Sequence, residues 1–189
     1  EEDAGKLSHA PGGSDYSEVD LNRTGTPLLE IVSEPDITSV EEARAYCTSL
    51  RQLVTYLGVS EANMQMGHMR FEPNINLHIA ENGQTFATPI VELKNLNSFR
   101  AVERSIAFEE RRQLAEWDET HRTLKTAGKT TRGYNDDTGE TFVQREKEEA
   151  HDYRYFPEPD LVVVAPEGAW LDELRRALPE LPLAKKDRF

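Results

Sequence analysis

Apolar side chains recur along residues 40–57 with helical spacing: Val40, Ala43, Cys47, Leu50, Val54 and Leu57 form one stripe. Ser39 and Glu42 ahead of it make a capping box, and Gly58 stands where a helix commonly gives way to a left-handed residue. Because Cys47 belongs to this stripe, it reads as a small buried hydrophobe and not as a nucleophile. A second helix is predicted over residues 99–117, with Val102, Ile106 and Phe108 inward and a charge-rich outer face. A short third helix covers residues 170–178 and closes at Pro179.

Elsewhere the period drops to two. Ile75, Leu77 and Ile79 alternate with Asn74, Asn76 and His78, and Asn82-Gly83 is a strong hairpin turn signal. The return strand is expected over residues 85–96. Residues 16–34 read as extended structure broken at Gly25-Thr26-Pro27, and residues 141–144 and 161–164 read as further strands. The polar, threonine-rich residues 118–140 suggest a loop or a projecting hairpin around Asp136-Asp137-Thr138-Gly139. Hairpins mixed with separate helices predict an α+β fold, with helices packed on an antiparallel sheet.

Composition narrows the function classes. With 37% hydrophobic and 30% charged residues in 189, the chain reads as a globular protein. Its longest apolar run, residues 161–165, falls far short of the roughly 20 residues that span a bilayer, so no membrane partner is expected. The opening Glu1-Glu2-Asp3 has no secretory-signal character, and one cysteine permits neither an intrachain disulfide nor a cysteine zinc cluster; cytoplasmic location is the default. The sequence opens in mid-motif and reads as a piece of something longer.

The net charge of −13 disfavours nonspecific binding to phosphate backbones. Residues 1–42 hold 11 carboxylates against Lys6 and Arg23, either as a solvated acidic face or with two or three lining a divalent-cation site. Gly128-Lys129-Thr130 resembles the end of a phosphate-binding loop, but Thr123 stands where that motif needs glycine, so an exposed loop is the better reading. The five histidines show no metal-ligand spacing, and only His68, beside the polar strand, keeps functional interest.

That strand carries the sharper signal. Arg70, Glu72, Asn74 and Asn76 share one face by alternation; on the return strand Glu92 and Lys94 share one face, followed by Asn95, Asn97 and Ser98. The pattern is either a solvated sheet face or a polar platform for metal-binding carboxylates and cations, and register decides. A two-residue Asn82-Gly83 loop pairs positions summing to 165 and sets Glu72 and Glu92 on opposite faces. A three-residue loop, or a bulge at Pro73, sets them on the same face.

Four long stretches, in order, carry a family resemblance: EEDAGK at residues 1–6, VDLNRTGTPLLEIVSEPD at 19–36, ELKNLNSF at 92–99 and HDYRYFPEPD at 151–160. Together they resemble the B subunits of tRNA-dependent aspartyl/glutamyl amidotransferases over essentially the whole chain. The resemblance implies a kinase-like α+β domain similar to the catalytic core of glutamine synthetase, spanning residues 1–165, with residues 166–189 starting a helical region. It implies ATP and Mg²⁺ as cofactors, with metal-binding acids at Glu2, Glu30, Glu72 and Glu92, and phosphate or substrate contacts at Lys94, Asn95 and Arg70. Two departures stand out: Gln65-Met66 replaces acidic residues, and Phe71-Glu72-Pro73 replaces cysteine-aspartate-alanine, which lengthens one carboxylate arm by a methylene.

The implied activity is ATP-dependent transamidation of misacylated Glu-tRNA(Gln) or Asp-tRNA(Asn) through a phosphorylated acyl intermediate. The implied partners are an amidase subunit, a small third subunit and misacylated tRNA, held mainly by regions outside this chain, so the chain alone is expected to be inactive. Two other readings stand beside it: a non-catalytic piece retaining only a subunit-interaction surface, and a carboxylate–metal phosphohydrolase or nuclease on an unrelated fold.

Overall fold

A computed structural model of the protein describes residues 6–9, 16–146 and 162–189. The chain divides into two compact units, Glu1–Ile37 and Thr38–Phe189. In the first, strands β1 (Lys6–His9) and β2 (Ser17–Asp20) pair antiparallel, Lys6 opposite Asp20. The extended structure expected over residues 16–34 is limited to β2. Turns follow it, and Leu28, Leu29, Ile31 and Val32 lie exposed on backbone without regular structure.

The second unit begins with helix α1 (Val40–Tyr56), whose ends are those its sequence predicts. The Ser39 hydroxyl accepts the Glu42 N–H at 3.1 Å, and Gly58 takes φ +68° just past the last turn. Glu42 reaches back one residue further than a standard capping box, accepting from the N–H and hydroxyl of Thr38 at 2.7 and 3.0 Å. Cys47 is buried in the core, and burial pushes its thiol up to about 11, so it stays protonated and inert.

The predicted hairpin forms, but its arms are split. Strands β4 (His78–Glu81) and β5 (Gln84–Ala87) flank Asn82 and Gly83, both at positive φ as a type I′ turn requires. Further along, β3 (Asn74–Ile75) and β6 (Val91–Lys94) form a separate ladder, so the single return strand expected over residues 85–96 is two strands. Helix α2 (Phe99–Thr120) follows, capped by the Ser98 hydroxyl on the Ala101 N–H at 3.0 Å. Residues 130–146 then supply β7 (Thr130–Asn135) and β8 (Glu140–Glu146). The hairpin expected around Asp136-Asp137-Thr138-Gly139 forms from β7 and β8, but it belongs to the main sheet and does not project from it.

That sheet has the order β3-β6-β7-β8. It is mixed and not wholly antiparallel, because β6 and β7 run parallel, Val91 beside Thr130 and Lys94 beside Gly133. The reason is topological: residues 95–129, containing α2, carry the chain back across the sheet so that β7 enters in the direction of β6. The fold class remains α+β.

One face of the sheet packs on the helices. Val91, Leu93 and Tyr134 from the strands meet Cys47, Leu96, Ala101 and Val102, with Phe71, Ile75, Phe99 and Ile106 around them. Each fully buried aliphatic side chain of this kind contributes about 1.5–3 kcal/mol. The inner stripe of α2 differs from the prediction: Val102 is buried, Ile106 and Phe108 are half-buried, and the rest of the stripe is Ser105, Glu109, Gln113 and Trp117. Trp117 closes it, stacked on His121 at 4.9 Å and tilted against Phe86 of β5 at 5.4 Å.

Two helices end the chain, α3 (Gly168–Ala177) and α4 (Pro182–Arg188); the second was not predicted. Of the strand expected at 161–164, Leu161 lies outside the described residues, and Val162, Val163 and Val164 are exposed without regular structure. No helix among the described residues is long and apolar enough to cross a membrane.

Candidate functional site

Alternation along β6 sends Val91 and Leu93 into the core and Glu92 and Lys94 to the opposite face. On the neighbouring segment Phe71 packs against Phe99 at 5.7 Å and turns Glu72 away from the core. Asn74 lies opposite Glu92, and the Leu93 N–H donates to the Pro73 carbonyl at 2.9 Å, so paired positions sum to 166 and Glu72 falls opposite Lys94. Glu72 and Glu92 therefore share a face. The hairpin loop nonetheless has two residues, with His78 opposite Ala87, a sum of 165. Neither a longer loop nor a bulge at Pro73 is responsible. The extra residue sits between the ladders, where Asn76 alone spans Pro89 and Ile90.

The shared face holds a compact charge cluster. The Lys94 ammonium donates to Glu72 Oε2 at 2.8 Å and contacts Glu92 Oε1 at 3.0 Å. Lys129, which the sequence assigned to an exposed loop, approaches the other Glu92 oxygen at 2.9 Å. Among the described residues two carboxylates thus meet two ammonium groups. Glu92 is only 8% exposed. Burial pushes its carboxyl upward, but the hydrogen bonds and charges of Lys129 and Lys94 outweigh that and hold it at about 2. Lys94 is opposed by the same burial, yet its bonds and proximity to Glu72 and Glu92 raise it, so it is a permanent cation and not a base.

This geometry has a measurable acid signature. The folded-state pKa of Glu92 lies below its ordinary value of 4.5, so its contribution is complete above that pH and is lost as pH falls toward about 2. Discounted for solvent screening, it amounts to about 2 kcal/mol. The stability gap between the parent chain and Glu92→Gln, read by urea unfolding, is expected to be widest near neutrality and to close by roughly pH 2. A gap independent of pH would contradict the pairing.

The other predicted residues are distributed as follows. Arg70 is exposed in the irregular segment leading into β3. Asn95 ends β6 at φ +65°, a left-handed position that asparagine tolerates. Glu30 is exposed in the first unit, and Glu2 and residues 151–160 lie outside the described residues. His68 is an exposed surface residue 3.3 Å from Glu61. Among the described residues no three His, Cys, Asp or Glu side chains converge as a metal cluster, and of the four acids expected to bind metal, Glu72 and Glu92 share a sheet face. Two participants escaped the sequence reading. Lys129 was weighed only against a phosphate-loop motif, although it opens the alternating run of β7. Thr131 lies beside Glu92 in the parallel register and buries a hydroxyl with no hydrogen-bond partner among the described residues.

The donor chemistry suits a hard divalent cation. Both side chains offer carboxylate oxygens, and the two ammonium charges that neutralise them equal the charge of one such ion.

Comparison with known proteins places this sequence among relatives. The sequence model of the family described as the GatB/GatE catalytic domain matches residues 1–172. The similar curated proteins are B subunits of aspartyl/glutamyl-tRNA(Asn/Gln) amidotransferases. The chain is 53% identical over 191 residues to the one from Rhodopirellula baltica, covering 100% of this chain and 38% of that relative. Identity to the one from Moorella thermoacetica is 50% over 193 residues, covering 100% of this chain and 39% of the relative. For Borreliella burgdorferi (strain ZS7) it is 47% over 190 residues, with 100% and 39% covered. The chain thus spans about two fifths of the length of the curated relatives it matches.

Proposed function

The chain belongs to the GatB/GatE catalytic domain family, and from that premise we propose that it provides the phosphoryl-transfer site of an ATP-dependent, tRNA-linked amidotransferase. In this reading residues 1–165 are catalytic, residues 166–189 begin a helical region, and the whole works in the cytoplasm with an amidase subunit and a small third subunit. The substrate is the glutamate or aspartate carried on misacylated Glu-tRNA(Gln) or Asp-tRNA(Asn).

The chemistry explains why a charged site suits the task. Ammonia cannot expel oxide from a carboxylate. Transfer of the γ-phosphoryl group of ATP onto the side-chain carboxylate makes an acyl phosphate, from which ammonia displaces phosphate to give the amide. Such a transfer needs positioning and charge neutralisation rather than a protein nucleophile. The observation that carries the reading is the placement of Glu72 and Glu92 on one sheet face, joined by Lys94 and flanked by Lys129.

Glu72 and Glu92 would hold Mg²⁺, with Glu2 and Glu30 proposed as further ligands; when bound, the ion supplies Lewis-acid neutralisation of phosphate oxygens. The ammonium groups of Lys94 and Lys129, once relieved of the carboxylates, would turn to the phosphate. Because Lys94 remains protonated, its part is electrostatic. Arg70 and Asn95 border the same strands and are proposed to contact substrate. Burial of Glu92 keeps water from weakening these interactions.

The reading is tested by following phosphate release from ATP by the full-length subunit in its complex. Release is expected to require misacylated tRNA, and Glu72→Gln should slow it by about tenfold or more. Metal-dependent hydrolysis of ATP at the same rate without tRNA would favour the phosphohydrolase reading and overturn this one.

A further inference from the structure

The shared face of Glu72 and Glu92 depends on a single residue of slack in the hairpin. From the turn as far as Leu77 and Thr88 the pairing sums to 165; from Ile75 and Val91 onward it sums to 166. Without that slip every side chain of one arm would change faces relative to the other.

Thr88 sits at the slip, and its hydrogen bonds differ from those of a regular ladder. Its N–H donates to the Leu77 carbonyl at 2.9 Å in the ordinary way. The return bond is diverted: the Leu77 N–H donates at 2.7 Å to the Thr88 hydroxyl, not to the main-chain carbonyl. Next comes Pro89, which has no N–H with which to rejoin the ladder. The hydroxyl also donates at 2.7 Å to Gln113 Oε1 on α2, so the buried group is fully satisfied. Gln113 then reaches across, its Nε2 donating to the Ile75 carbonyl at 3.2 Å. One helix side chain clasps both arms, one contact on each side of the slip.

We infer that Thr88, held by Gln113, is a positioning residue: it fixes the bulge that brings Glu72 and Glu92 onto one face. The catalytic consequence rests on the function proposed above; the register claim does not. Two readouts keep them apart.

Register is read by oxidative cross-linking in the full-length subunit, with its other cysteines replaced. An Asn74→Cys/Glu92→Cys pair joins positions opposite in the slipped register, whereas Asn74→Cys/Val91→Cys joins positions opposite in the unslipped one. The first pair is expected to cross-link efficiently and the second poorly. Thr88→Val should lower the yield of the first by about tenfold and raise the second, and Thr88→Ser should restore the original pattern. Gln113→Met, which spares the hydroxyl and removes only its holder, should shift the pattern the same way and provides the test should Thr88→Val fail to fold. An unchanged pattern in Gln113→Met, or in folded Thr88→Val, overturns the inference.

Activity is read without the added cysteines. Thr88→Val is expected to lower kcat for tRNA-dependent phosphate formation by about tenfold with KM for tRNA unaltered, and Thr88→Ser to recover it. A shifted register with undiminished activity would leave the role of Thr88 in the bulge standing and overturn the assignment of Glu72 and Glu92 to the reaction.

Discussion

Under the function proposed above, Glu92→Gln in the full-length subunit is expected to slow ATP-dependent activation of misacylated tRNA by about 100-fold or more while tRNA affinity changes little. The substitution preserves shape and removes one charge, the one both lysines share: Lys94 on Oε1 at 3.0 Å and Lys129 on Oε2 at 2.9 Å. Glu92 is also the more enclosed of the two acids, so its charge acts where water screens it least. Glu92→Asp retains the charge on a shorter arm and is expected to fall between parent and amide. Single-turnover formation of amidated tRNA measures the effect. Undiminished turnover in Glu92→Gln would remove this carboxylate from the chemistry.

The second large effect concerns stability. Glu109→Ala is expected to destabilise the fold by about 3–5 kcal/mol, because it takes a shared, buried carboxylate away from two partly buried guanidinium groups. Glu109 is fully buried on α2. The Arg112 Nε donates to its two oxygens at 3.0 and 2.9 Å, and Arg132 of β7 approaches one of them at 3.0 Å. Thr141 of β8 donates its hydroxyl to the same carboxylate. Arg112 also bonds Glu116 at 2.7 Å, and Arg122 approaches the other Glu116 oxygen at 3.4 Å. Removing Glu109 leaves Arg132 without its carboxylate and Arg112 with Glu116 as its one remaining acid among the described residues. Glu109→Gln keeps hydrogen-bonding atoms and should cost less. Urea unfolding followed by circular dichroism gives the magnitude, and a loss below about 1 kcal/mol for Glu109→Ala would contradict a structural role for the network.

These two carboxylates also show where sequence reading succeeds and where it stops. Features determined within a few residues were legible: the Ser39 cap, the Gly58 exit, the Asn82-Gly83 turn and the burial of Cys47. Non-local pairing was not. Nothing near Val91 or Thr130 announces that β6 and β7 run parallel, since the direction is set by the path of α2. The polar stripe Ser105, Glu109 and Gln113 looks like a solvated helix face, because hydrophobicity cannot distinguish exposed polar residues from buried ones whose partners lie on other elements.

The candidate site was legible in its residue types but not in its register. Alternation placed Glu92 with Lys94, and Glu72 with Asn74. The offset joining the two sets depends on a threonine hydroxyl and a glutamine 25 residues away. Lys129 was overlooked for a related reason: its partner, Glu92, lies on a strand remote in sequence. Of the four acids expected to bind metal, Glu72 and Glu92 share one face, Glu30 belongs to the other unit and Glu2 lies outside the described residues.

The most direct test of the account is calorimetric titration of the full-length subunit with ATP in the presence and absence of Mg²⁺, beside the Glu72→Gln/Glu92→Gln double variant. The account predicts Mg²⁺-dependent ATP binding by the parent and affinity weaker by about 100-fold in the variant, with the fold intact. Equal affinity in both proteins would contradict the claim that this sheet face holds the metal-bound nucleotide.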